Sequence, residues 1–79
     1  MNKQDRKELN RAQELFNEAI QIVQAVAETE MEKYDNLNEG LQSTERGEKL
    51  SANSMQLEDC ASEIEMIVTT LDEIMQDQT

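Results

Sequence analysis

The 79-residue chain has no proline, tryptophan or histidine, a single cysteine, two glycines, and only Phe16 and Tyr34 as aromatics. Each absence removes a class of chemistry. Without histidine there is no imidazole for acid–base work near neutral pH, and no Cys/His set for zinc. Carboxylate metal sites in helical bundles normally add a Glu-x-x-His motif, which cannot occur here. One cysteine, Cys60, excludes an intrachain disulfide and is expected to be a small buried thiol in a reducing compartment. Two glycines make no phosphate-cradling loop. The segment Asp35 to Gly40 is no calcium loop: aligned on its glycine, it puts Leu37 and Arg46 where the third and twelfth positions need ligands. The polar opening Met-Asn-Lys-Gln-Asp-Arg-Lys does not read as a signal peptide, and no apolar run is long enough to span a bilayer. The expectation is a cytoplasmic protein without enzymatic activity, cofactor or metal.

Basic residues are the other scarcity. Seven Lys and Arg face eighteen Asp and Glu, for a net charge of −11. That charge opposes binding to nucleic acid by phosphate neutralisation, and to anionic membranes, but suits a basic protein partner. The order of charges is more informative than their sum. Lys3, Arg6, Lys7 and Arg11 crowd the start, no base follows Lys49, and the chain closes with Asp72, Glu73 and Asp77. In two isolated helices these ends would both oppose the helix dipole. An antiparallel hairpin lays them side by side, where they compensate. Between them, Glu14, Glu18 and Glu28 on the first half, and Glu58, Asp59, Glu63 and Glu65 on the second, form stretches without a base. They are the expected acidic docking surface. A merely solvated polar face is the plainer reading of the same residues.

What is abundant is helix former in a helical pattern. A first helix is predicted over about 3–35. One apolar line runs Leu9, Ala12, Phe16, Ala19, Val23, Val26; a second Leu15, Ala19, Ile22, Val26; a third Phe16, Ile20, Val23, Ala27, Met31, Tyr34. Together they are wider than one partner helix covers. A second helix is predicted over about 44–76, with the seam Leu50, Asn53, Leu57, Cys60, Ile64, Ile67, Leu71, Ile74, and with Ala61, Val68 and Met75 beside it. The connection, 34–47, is long for a bare turn. It is expected to hold a short helical turn at Glu39 to Gln42, capped by Asn38 or followed by a cap at Ser43, with Gly40 free to take positive φ and Leu37 and Leu41 folding inward. The fold class is therefore all-α: one hairpin domain over 1–79, its spare apolar width pairing with other chains into a bundle, as a homodimer or higher assembly. Leu15, Ile22, Val26, Val68 and Met75 are the expected interface. Tyr34, Arg46 and Lys49 at the turn end are a candidate anion site, with Arg46 as a planar fork; the simpler role for Arg46 is to neutralise Glu45, Glu30 or Asp35.

The stretch Tyr34-Asp35-Asn36-Leu37-Asn38-Glu39-Gly40-Leu41-Gln42-Ser43-Thr44-Glu45-Arg46-Gly47-Glu48-Lys49-Leu50 resembles the turn of a group of small acidic helical-hairpin proteins from bacteriophages and prophages. The likeness extends over nearly the whole chain; Asn38 stands where many of the group have proline. It implies a phage accessory protein made in the bacterial cytoplasm, of a kind that blocks a host enzyme or defence system. The resulting expectation is a homo-oligomer that binds and inhibits a host defence or nucleic-acid-handling protein through its acidic surface. Two alternatives stand beside it: a sponge for an anionic nucleotide signal, held at Tyr34, Arg46 and Lys49, and a structural module of phage assembly.

Overall fold

The first helix starts where a side chain satisfies an orphan backbone donor: the Asn2 amide oxygen accepts from Asp5 N–H at 2.7 Å. In the computed structural model, which describes residues 1–77 except the side chain of Asp77, this helix, α1, runs Lys3–Asp35. Asp5 in its first turn and Lys33 in its last suit the dipole. A single helical turn, α2, spans Glu39–Gln42, with Asn38 as its cap accepting from Leu41 N–H at 3.0 Å. The last helix, α3, runs Glu45–Asp77. Thr44 rather than Ser43 stands before it, its hydroxyl accepting from Gly47 N–H at 3.4 Å, while Ser43 ends α2 by donating to the Gly40 carbonyl at 3.1 Å. Gly40 does not take positive φ; it sits within the short helical turn. Leu37 is half-buried as expected, but Leu41 stays exposed.

Helices α1 and α3 pack antiparallel along their length. Two polar bonds fix the register. The Gln13 amide donates to the Val68 carbonyl at 3.1 Å, and the Ser54 hydroxyl donates to the Ala27 carbonyl at 2.9 Å. These bonds lie two heptads apart on each helix, so Ile20 sits level with Ala61 midway between them. The residues facing the seam then follow a strict three-and-four spacing. On α1 they are Leu9, Gln13, Phe16, Ile20, Val23, Ala27, Glu30 and Tyr34; on α3 they are Gly47, Leu50, Ser54, Leu57, Ala61, Ile64, Val68, Leu71 and Met75, and all of these are buried or half-buried. Across the seam large meets small: Tyr34 is level with Gly47, and Ile20 with Ala61. Where both are small, at Ala27 and Ser54, the backbones are close enough for a side chain to reach the opposite main chain.

This corrects the expected α3 seam. Leu50, Leu57, Ile64 and Leu71 belong to it, but Asn53, Cys60, Ile67 and Ile74 do not; Ser54, Ala61, Val68 and Met75 take their places. Close approach of two helices selects the small side chains Ser54 and Ala61, and leaves the greasier parallel line outside. Cys60 is accordingly exposed within the single chain, not buried. Val68 and Met75, expected between chains, are half-buried in the intrachain seam.

The hairpin is a thin rod of 58 × 16 × 13 Å with a radius of gyration of 17.8 Å. A globular chain of this length would have about 12 Å. Its buried apolar residues are Ile20, Ala27 and Ala61, and no large side chain among the described residues is fully covered.

Candidate interaction surfaces

Lettering the heptads a to g, with Ile20 and Ala61 at a, places every other residue on the rod. Because the helices run in opposite directions, the e positions of both fall on one side of the seam and the g positions of both on the other. The side made by e, with b beyond it, carries Asn10, Glu14, Asn17, Gln21, Gln24 and Glu28 from α1. From α3 it carries Ser51, Glu58, Ser62, Glu65, Thr69 and Asp72. This acidic flank has no base between Glu14 and Glu28 or between Glu58 and Asp72. Four of the expected docking residues, Glu14, Glu28, Glu58 and Glu65, are brought together on it, all exposed. Glu18 and Asp59 stand on the outer ridges, farthest from the seam, and Glu63 lies on the opposite side.

That opposite side, made by g and c, is apolar along its middle. Leu15, Ile22 and Val26 of α1 lie there with Ala12 and Ala19, beside Cys60, Ile67 and Ile74 of α3. Ile22 is 66% exposed and Ile67 46%. A shallow groove of about 380 Å³, lined by Glu63, Met66, Ile67, Thr70 and Leu71, runs along its α3 edge. The expected interface residues Leu15, Ile22 and Val26 are thus where a partner would reach them. The total accessible surface is 5917 Å². A compact monomer of 9.1 kDa exposes about 4,900 Å², so the rod shows about 1,000 Å² more than a self-sufficient domain of its mass.

The ends differ in sign by flank. On the apolar flank the turn end is basic, with Lys33, Arg46 and Lys49, and the open end is acidic, with Asp5 and Glu8. On the acidic flank Lys3 and Lys7 stand at the open end, in a shallow surface with Arg6, Asn10, Arg11 and Glu14. The hairpin does lay this basic start beside Asp72 and Glu73, as the charge order predicts; Asp77 has its side chain outside the described residues. Asp72 accepts from the Gln13 amide at 2.7 Å. Arg11 pairs with Glu14 at 3.2 Å and Lys33 with the half-buried Glu30 at 3.7 Å, each within α1; the exposed Arg11 pair contributes at most about 1 kcal/mol.

At the turn end the candidate anion residues differ in setting. Arg46 and Lys49 are exposed on the apolar flank, whereas Tyr34 is half-buried at a seam position, its carbonyl accepting from the Gln42 amide at 3.2 Å. The residue that shapes this end is Gly47. It is buried, and a Cβ there would meet the Gln42 carbonyl oxygen and lie 2.6 Å from that of Leu41. Gly47 therefore lets α2 close over the first turn of α3. Its signal in the sequence was a helix-weakening residue inside a helix, which often marks a close backbone approach. Gln13 and Ser54 carry no such signal, since polar residues break an apolar pattern rather than announce themselves within it.

Among the described residues no group of three or more His, Cys, Asp or Glu is placed to hold a metal ion, and no helix is long and apolar enough to cross a membrane. Comparison with protein-family models, curated proteins and solved structures gives no match.

Proposed function

We propose that the protein is a non-enzymatic interaction module: a helical rod that pairs with itself through its apolar flank and engages a basic protein partner through its acidic flank. The observation that carries the second half is the base-free run of Glu14, Glu28, Glu58, Glu65 and Asp72 along one side of a rigid rod. Carboxylates fixed on helices hold their spacing without a further ordering cost. They focus a negative potential that attracts and orients a positively charged groove. A protein that normally handles nucleic acid presents such a groove, and a rod seated in it blocks access. With the resemblance to phage hairpin proteins, this gives an inhibitor of a host defence or nucleic-acid-handling protein, acting in the bacterial cytoplasm. Support for the first half comes from the exposed line Leu15, Ile22, Val26, Ile67 and Ile74 and the scant intrachain core.

The test uses the immobilised chain against bacterial lysate. A protein captured through the acidic flank is released as salt rises from about 0.05 to 0.5 M, because the screening length falls well below 10 Å. It is not captured by the variant combining Glu14→Gln, Glu28→Gln, Glu58→Gln and Glu65→Gln, and its own activity falls when the wild-type rod is added. Capture that ignores both salt and the four substitutions overturns the reading.

A further inference from the structure

The charges on the apolar flank say how the second copy is oriented. The g line of α1 reads Asp5, Ala12, Ala19, Val26, Lys33. It is apolar and free of large side chains through its middle and opposite in sign at its ends: an acid lies two heptads before Ala19 and a base two heptads after it. A line of this kind complements itself when reversed. We propose that a second copy of the chain sits on this flank with its rod antiparallel, related by a two-fold axis that crosses α1 at Ala19. This rests on the self-pairing proposed above and adds its symmetry and register.

Such an axis, perpendicular to the rod, stacks α1 on the partner copy's α1 and α3 on its α3. Ala12 then faces the partner's Val26, the Ala19 residues of the two copies meet, and Lys33 faces the partner's Asp5, twice over. The small side chains at Ala12 and Ala19 let the two helices approach, while Leu15 and Ile22, on the c line beside them, pack across the gap. The turn end of α3, with Arg46 and Lys49, comes over the partner's open end, where α1 places Asp5 and Glu8 on this flank. The antiparallel register brings Glu63 near its own copy at the axis, but the parallel alternative is worse on charge. It sets Lys33, Arg46 and Lys49 of one copy beside the same three of the other, and like charges so placed oppose association. Size agrees as well. A face of 58 × 16 Å covers about 900 Å² per copy, the area of a standard stable interface, and close to the excess surface of the lone rod. The contact is isologous and closed, so it stops at two copies. It leaves both acidic flanks outward, on opposite sides of a four-helix bundle.

Two experiments on the full chain test this. In a Cys60→Ser background, Ala19→Cys forms an interchain disulfide under mild oxidation, while Thr29→Cys, far from the axis, does not. Separately, Lys33→Glu and Asp5→Lys each weaken the dimer roughly tenfold, since each replaces two attractive pairs by two repulsive ones, and the double reversal restores affinity to within about threefold. Both single changes also oppose the α1 dipole, and the double change opposes it at both ends. Rescue therefore cannot arise within one helix. A dimer without the Ala19 crosslink, or without charge rescue, overturns the antiparallel register and leaves self-pairing standing. A monomer at every concentration overturns self-pairing itself.

Discussion

Gly40 and Gly47, seven residues apart at the turn end, should respond to the same substitution with opposite sign. Alanine at Gly47 gains about 1 kcal/mol of helix propensity. Its Cβ, however, lies 2.6 Å from the Leu41 carbonyl oxygen and also meets that of Gln42. Both are main-chain atoms of α2, so no side chain can swing aside. Restoring an ordinary contact of 3.4 Å or more moves α2 away from α3 by close to 1 Å and strains Thr44, whose hydroxyl bonds the same Leu41 carbonyl. Overpacking of this kind costs about 1–3 kcal/mol, so the net effect is a loss of about 1 kcal/mol. Alanine at Gly40 meets only the Asn38 carboxamide oxygen at 3.5 Å, an ordinary contact, and stabilises by about 0.4–1 kcal/mol by restricting the unfolded chain. Thermal unfolding followed by circular dichroism at 222 nm, at fixed protein concentration, reads the difference: about 4–8 °C lower for Gly47→Ala and a few degrees higher for Gly40→Ala. A Gly47→Ala variant as stable as the wild type refutes the close approach of α2 to α3.

Ser54→Leu should be the most damaging seam substitution, because Ala27 opposite is fully covered; a loss of about 2–3 kcal/mol is expected in urea unfolding. Ser54→Ala removes only the bond to the Ala27 carbonyl, which keeps its helical partner, and should cost about 0.5–1 kcal/mol in the same assay. Gln13→Ala loses the bonds to Val68 and Asp72 and should cost about 0.5–1.5 kcal/mol, with α3 amides near Val68 exchanging faster with deuterium. Cys60, exposed in the single chain, is covered by the second copy, so a thiol reagent should modify it slowly in the wild type and rapidly in Ile22→Asp; equal rates contradict its place in the interface.

Much of the fold was legible because it is written in charge order and spacing. The basic start and acidic finish are unfavourable as separate helices, and the hairpin follows from that alone; the break between Tyr34 and Gly47 placed the connection, and Asn38 its cap. The phase of the α3 seam was not legible. Two apolar lines, one through Cys60, Ile67 and Ile74 and one through Ala61, Val68 and Met75, repeat with the same period. Hydrophobicity favours the first, whereas close packing against α1 favours the second, because Ala61 and Ser54 let Ile20 and Ala27 approach. Which line is inside depends on the side chains of the other helix, and a helix read alone does not contain them. The acidic flank was half legible for the same reason. Glu14, Glu28, Glu58 and Glu65 share a side only once the register is known, and that register sends Glu63 to the other. Gly47 showed in the sequence as a weakness in a helix; its purpose appears only with the α2 carbonyls against it.

The choice of the smaller α3 line for the seam is also what leaves Ile67 and Ile74 facing outward on the same flank as Ile22 and Val26 of α1, so the question of what covers them is decisive. Light scattering on the wild-type chain and on Ile22→Asp answers it most directly. The expected result is a wild-type mass of twice 9.1 kDa, falling to that of one chain in Ile22→Asp with its helicity retained. A wild type that stays at the mass of one chain at every concentration measured contradicts self-pairing through the apolar flank.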